Sequence, residues 1–205
     1  MKSANLIRSL GIALVALAGI AYAAQRDVKG TETANAVFAG GCFWSVERFF
    51  DKVDGVLATV SGYTGGTKKN PTYEEVVTGA TGHAESVQVT YDPKKVSYEK
   101  LLDVFWHNID PVTPNGQFCD FGTQYRTVVF YNDATQKRIA ETSKKTLQSL
   151  FKQPIVTEII AASQFYPAED YHQDFHRKNP ARYERYRVGC GRDLRLAELW
   201  GPKRK

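Results

Sequence analysis

Cysteine is scarce in this chain. Three residues in 205, Cys42, Cys119 and Cys190, are too few for a disulfide framework, and the odd number points to working thiols. Long apolar runs are scarce too: the stretch from Leu10 to Ile20 is shorter than the roughly 17–25 residues that span a bilayer. Strong metal ligands are few. His172 and His176 stand four apart with Glu169 and Asp170 nearby, but no third strong ligand follows at motif spacing. No internal repeat or low-complexity stretch occurs. The basic excess is modest, a formal net charge of +5, and spread out apart from runs near Lys68, Arg182 to Arg192 and the Lys203-Arg204-Lys205 tail. The basic, aromatic segment from Tyr183 to Arg195 resembles a nucleic-acid contact only weakly, and export argues against one.

Export is the reading of the first residues. Lys2 and Arg8 flank the start of the apolar run, and Ala21-Tyr22-Ala23 resembles a small-residue cleavage site. Residues 1–23 are expected to be a secretory signal and 24–35 a polar linker, with one domain over 36–205. No cysteine follows the apolar run, so a lipid-modified N-terminus is not supported. The domain is expected outside the cytoplasm, periplasmic or otherwise extracytoplasmic, with no stable membrane association after cleavage following Ala23; a signal kept as an uncleaved anchor is the alternative. Its length suffices to bury a core without staples.

What is present centres on Gly40-Gly41-Cys42-Phe43-Trp44. Residues 36–39 read as a strand, two glycines break it, and Phe43, Val46, Phe49 and Phe50 then share a helical face. Cys42 falls at the strand-to-helix joint, where unpaired N–H groups and the dipole favour a thiolate. A small buried cysteine after a tight turn is the plainer alternative.

Downstream, strands are expected over 56–60, 83–91, 125–131 and 154–161. Thr72 and Glu75 form a capping box that puts Tyr73 on the first turn of a short helix. Amphipathic helices are expected over 97–108 and, capped by Asp133, over 134–151, with a short one over 169–175. Residues 110–124 carry no period, and the C-terminal segment reads as irregular. Some strand neighbours are joined by loops too short for a helix, so the pattern is a two-layer mixed α+β sandwich rather than a doubly wound sheet. Glu85 shares the parity of Val87, Val89 and Tyr91, which points it to the buried face, where a carboxyl can hold a proton near neutral pH; a strand-end glutamate that escapes to solvent is the plainer alternative. Tyr73 and Tyr125 are candidate hydrogen-bond donors. Asp120 beside Cys119 reads as a turn residue, and Cys190 between two glycines as either a thiol on a mobile tether or an incidental turn cysteine.

Taken in order, Gly40-Gly41-Cys42-Phe43-Trp44, Gly62-Tyr63-Thr64-Gly65-Gly66, Asn70-Pro71-Thr72-Tyr73, Gly82-His83-Ala84-Glu85, Gly122-Thr123-Gln124-Tyr125-Arg126 and Ala168-Glu169-Asp170-Tyr171-His172-Gln173 resemble the peptide methionine sulfoxide reductase A family. The resemblance implies a ferredoxin-like core, no cofactor, and thiol-dependent reduction of the S epimer of methionine sulfoxide, free or in oxidised proteins. It implies that Cys42 is the nucleophile and Glu85 the acid. Tyr73 and Tyr125 would hydrogen-bond the sulfoxide oxygen, with Asp120 in the same environment and Phe43 and Trp44 as the apolar wall. His172 becomes a packing residue, with no metal.

The resemblance assigns recycling to Cys190, through a Cys42–Cys190 disulfide reduced by a thioredoxin-like protein acting on a monomer. Cys119 stands where the family commonly has Asn; it either competes for the sulfenic acid or stays apart as a reduced thiol, and Cys190 is the favoured choice. Two other readings stand beside this one. The first is a cysteine hydrolase pairing Cys42 with His83 or His172. The second is a non-enzymatic, exported metal-binding module built on His172 and His176.

Overall fold

The computed structural model describes residues 32–201. The expected signal, most of the linker and the basic tail lie outside the described residues. The first strand, β1 (Ala34–Gly40), begins inside the expected linker. It is followed by α1 (Phe43–Phe50), β2 (Val56–Thr64), α2 (Tyr73–Val76), β3 (Ala84–Tyr91) and α3 (Tyr98–Trp106). The two-residue strands β4 (Gly116–Gln117) and β5 (Asp120–Phe121) lie in the stretch that showed no period. After a 3-10 turn come β6 (Thr127–Tyr131), α4 (Ala134–Gln148), β7 (Glu158–Ala161) and β8 (Tyr166–Pro167).

Six strands form one sheet in the order β7-β6-β1-β3-β2-β8. The inner four, β6-β1-β3-β2, pair antiparallel, and with α1 and α3 as connections they make the expected ferredoxin-like core. Strand β7 adds parallel to β6, which requires a crossover, and α4 supplies it. β1 is apolar on both faces because both are covered. Ala36 and Phe38 join the larger core with α1 and α3, while Val37 and Ala39 pack with Val128 and Phe130 opposite. Phe38 stacks between Phe50 and Phe105, at centroid distances of 4.9 and 5.1 Å. Its full burial is worth roughly 1.5–3 kcal/mol. No helix among the described residues is long and apolar enough to cross a membrane.

The C-terminal segment corrects two expectations. The short helix expected over 169–175 is a run of turns that reaches helix only at α5 (Phe175–Lys178). Beyond it, the segment expected to be irregular folds into α6 (Pro180–Gly189) and α7 (Arg192–Trp200). Tyr183, Tyr186, Arg187 and Cys190 follow an i, i+3, i+4, i+7 spacing, so a helical face is present. It is built of tyrosine and arginine, which carry little hydrophobic contrast.

Candidate active site

The break after β1 is steric. Gly41 has a φ of +83°, and a Cβ there would lie 2.6 Å from Gln117 Cβ, so only glycine fits the bend. Cys42 then occupies the N-cap of α1, its carbonyl accepting from the Ser45 N–H at 3.0 Å. The placement is the expected one; its effect on the thiol is not. Cys42 is buried, and desolvation pushes the thiol well above its ordinary value, with the Glu85 and Asp120 carboxylates adding to the rise. The adjacent Tyr186 hydroxyl, whose proton goes to Asp120 in the structure, opposes it, as does the Trp44 backbone. A helix terminus contributes about 0.3–1 kcal/mol, whereas taking an ion out of water costs several times more. Burial wins.

Glu85 is buried, as its strand parity requires. Its Oε2 accepts the Phe43 N–H at 3.0 Å, which fixes the carboxyl beside the residue that follows Cys42. Burial raises Glu85 to about 8; the Phe43 bond opposes this and Asp120 adds to it. The group is therefore largely a neutral acid at pH 7.

Tyr73 opens α2 behind the expected capping box, in which Thr72 and Glu75 bond reciprocally. The Tyr73 N–H also donates to Glu169 Oε1 at 2.9 Å. Tyr125 closes the 3-10 turn Thr123–Tyr125 rather than starting a strand. Burial, then the nearby Glu85, raises Tyr73 to about 12 and Tyr125 further. Both phenols remain protonated donors over the working range of pH. Asp120 on β5 accepts a hydrogen bond from Tyr186 Oη at 2.5 Å. Burial raises this carboxyl, against the pull of Tyr186 and of Arg192. Tyr186 and Arg192 were not foreseen as parts of the site.

The aromatic residues enclose this group. Phe43 is buried, with its ring 5.9 Å from Tyr63 and 4.9 Å from His172. Trp44 stacks on Phe175 at 3.6 Å and donates its Nε1–H to His172 Nδ1 at 3.0 Å. That bond leaves the His172 proton on Nε2, and burial lowers the imidazole below its usual value. The ring lies 4.4 Å from Tyr73, so His172 is a neutral spacer. His176 instead meets Asp51 Oδ2 at 3.3 Å. His172 Nε2 and His176 Nδ1 have no hydrogen-bond partner, but among the described residues neither histidine belongs to a group of three metal-capable donors. His83 is also engaged: Nδ1 accepts from Gly66 N–H at 3.1 Å and Nε2 lies 2.7 Å from the Lys68 carbonyl. A hydrolase has no free imidazole base here.

The thiols hold a further correction. The structure joins Cys119 to Cys190, with a Cα–Cα distance of 4.9 Å, and leaves Cys42 free. Cys119 is thus a partner of Cys190 and not a thiol standing apart. It sits in the turn between β4 and β5, after Phe118 at a φ of +58°. Cys190 ends α6, and Gly191 at a φ of +62° turns the chain into α7. The Gly-Cys-Gly triplet is a helix corner, not a mobile tether. Cys42 is buried, Cys190 half-buried and Cys119 exposed. The group of metal-capable donors found among the described residues is Cys119, Asp120 and Cys190, and two of these share the disulfide.

A family model described as peptide methionine sulfoxide reductase matches residues 34–204. Peptide methionine sulfoxide reductase MsrA from Bacillus licheniformis is 53% identical over 170 residues, covering 82% of this chain and 94% of that protein. The protein of the same name from Bacillus subtilis is 53% identical over 170 residues, covering 82% and 96%. Among solved structures, the reduced form of Mxr1 from Saccharomyces cerevisiae superposes with a TM-score of 0.70 at 33% identity, covering 73% of this chain and 87% of that one. Methionine sulfoxide reductase A of Corynebacterium diphtheriae gives 0.67 at 34% identity, covering 74% and 77%.

Proposed function

The chain belongs to the peptide methionine sulfoxide reductase family, and from that premise we propose how its own residues carry the reaction. It is an oxidoreductase that reduces methionine sulfoxide with thiols. Cys42 attacks the sulfoxide sulfur, and Glu85 gives its proton to the sulfoxide oxygen. The proton from the Cys42 thiol replaces the one Glu85 gives up, so the carboxyl is neutral at both ends of the step. Methionine leaves and Cys42 keeps the oxygen as a sulfenic acid. Tyr73 and Tyr125 donate hydrogen bonds to that oxygen as it gains charge. Phe43 and Trp44 wall the methyl side, and Asp120, held by Tyr186, borders the oxygen side. The observation that carries this reading is the buried Glu85 carboxyl bonded to the amide next to Cys42, where burial raises it to about 8.

Recycling runs outward along the gradient of exposure. The Cys190 thiolate displaces hydroxide from the sulfenic sulfur, water is formed, and a Cys42–Cys190 disulfide results. Cys119 then attacks Cys190, expels Cys42 as a thiolate and leaves the Cys119–Cys190 bond. A dithiol protein of thioredoxin type reduces that bond at its exposed sulfur, Cys119. The reductase works outside the cytoplasm on oxidised proteins, and its pocket admits the S epimer. Single-turnover assays on separated epimers test the scheme. Methionine should form from one epimer only, and Cys42→Ser should form none. Comparable rates on both epimers, or retained activity in Cys42→Ser, would overturn it.

A further inference from the structure

One buried charge takes no part in these steps. Arg192 opens α7, two residues after Cys190, and is 2% exposed. Its Nη2 donates to the Asn108 carbonyl at 3.0 Å and to the Gly40 carbonyl at 3.4 Å. The guanidinium carbon lies 4.2 Å from the centre of the Phe118 ring. Gly40 is two residues before Cys42, and Phe118 precedes Cys119. One guanidinium therefore ties together the three segments that carry the thiols.

Among the described residues Arg192 makes no salt bridge within contact distance, and the carboxylate its charge acts on, Asp120, is already bonded to Tyr186. A buried cation held by carbonyls and one aromatic face is costly to keep unless something nearby turns negative. The site supplies that event. The groups facing Cys42 are Tyr73 from α2, Glu85 from β3, Asp120 from β5, Tyr125 from the 3-10 turn and Tyr186 from α6. Each of these is neutral or negative. Arg192 reaches this group through Gly40, two residues before the sulfur; its charge acts on Asp120 and Cys42, and it faces Tyr183, Tyr186 and Arg187 of α6 as well.

We propose that Arg192 is a positioning residue whose fixed positive charge offsets the negative charge that the Cys42 sulfur takes on during attack, and whose grip on Gly40 holds that sulfur's loop against the Cys119–Cys190 corner. The charge serves twice. Cys42 is an anion when it attacks the sulfoxide and again when Cys119 expels it from Cys190. The proposal rests on Cys42 being the nucleophile.

The oxidised protein offers a direct test, because Cys42 is then its one free thiol. Iodoacetamide labelling of oxidised enzyme, followed across pH by mass spectrometry of the Cys42 peptide, reads the ionisation of that sulfur alone. Arg192→Gln should move the midpoint up by about one pH unit and slow labelling at pH 8 about tenfold. Arg192→Lys should restore most of the shift while losing thermal stability, since an ammonium keeps the charge but not the planar stacking on Phe118. Midpoints equal to wild type in both variants, whatever their stability, would reduce Arg192 to a structural role and overturn the proposal. If Arg192→Gln does not fold, Arg192→Met, which also removes the charge, takes its place in the same assay: a midpoint raised by about one pH unit supports the charge argument, and an unchanged one defeats it. Wild-type enzyme that forms no methionine in single turnover would instead count against the Cys42 mechanism, a separate failure.

Discussion

The amide of Phe43 donates to Oε2 of Glu85 across 3.0 Å, tying the residue after Cys42 to a buried carboxyl 42 positions away. The contact has a protonation consequence. Glu85, at about 8, ionises before the Cys42 thiol, which burial holds higher. The reactive arrangement, a thiolate facing a carboxylic acid, is then the minor tautomer of a pair sharing one proton.

Glu85→Gln keeps the acceptor for Phe43 and removes the transferable proton. Single-turnover methionine formation should fall by about 10²–10⁴-fold, the usual worth of general acid catalysis. The pH profile of kcat/KM should change shape as well. In wild type it should rise to about 8 as the pair loses its first proton, and fall again when the thiol ionises. In Glu85→Gln the upper fall should vanish, leaving one rise that follows the thiol.

The disulfide between Cys119 and Cys190 makes a stoichiometric forecast. Without reductant, wild type should release about two methionines per enzyme, because exchange to Cys119 frees Cys42 for a second attack. Cys119→Ser and Cys190→Ser should each release about one, by the same count. Peptide mapping should find Cys42–Cys190 accumulating in Cys119→Ser and Cys119–Cys190 in wild type. A second equivalent from Cys119→Ser would remove Cys119 from the relay.

Tyr186→Phe deletes the hydroxyl that donates to Asp120 and opposes the rise of the Cys42 thiol. The half-buried carboxylate loses its donor, a cost of about 1–3 kcal/mol in denaturant unfolding. Labelling of Cys42 should shift to higher pH. Unchanged unfolding and unchanged labelling together would show that the hydroxyl is idle.

Glu47 links stability to pH away from the reaction. It is buried on α1 with Oε2 unpartnered, and burial raises it from 4.5 to about 7. A raised folded value means that its contribution is fully present below about 4.5 and is lost as pH climbs through about 7. Glu85 acts in the same direction up to about 8. Wild type should therefore lose thermal stability between pH 5 and pH 8. Glu47→Gln should lose less, gaining on wild type by about 3 kcal/mol at most at the upper end. Parallel melting curves for the two proteins at both pH values would disprove the linkage.

The parts of the site legible in the sequence were those set by local geometry. Two glycines after an apolar strand place Cys42 at the head of α1. Strand parity buries Glu85, and the Thr72–Glu75 box seats Tyr73, because period and capping act over a few residues. The pairing of Cys119 with Cys190, 71 residues apart, was out of reach. So were Tyr186 and Arg192, whose helices present tyrosine and arginine where a hydrophobic pattern would have announced a buried face. The state of the Cys42 thiol was decided by packing as well. A helix N-terminus is visible in the sequence and pulls the thiol down, but the desolvation that pushes it up comes from everything folded around the sulfur. Local chain geometry determined where each reacting group stands, and tertiary packing determined its charge and its partner, because electrostatics in a protein interior depends on what is near in space.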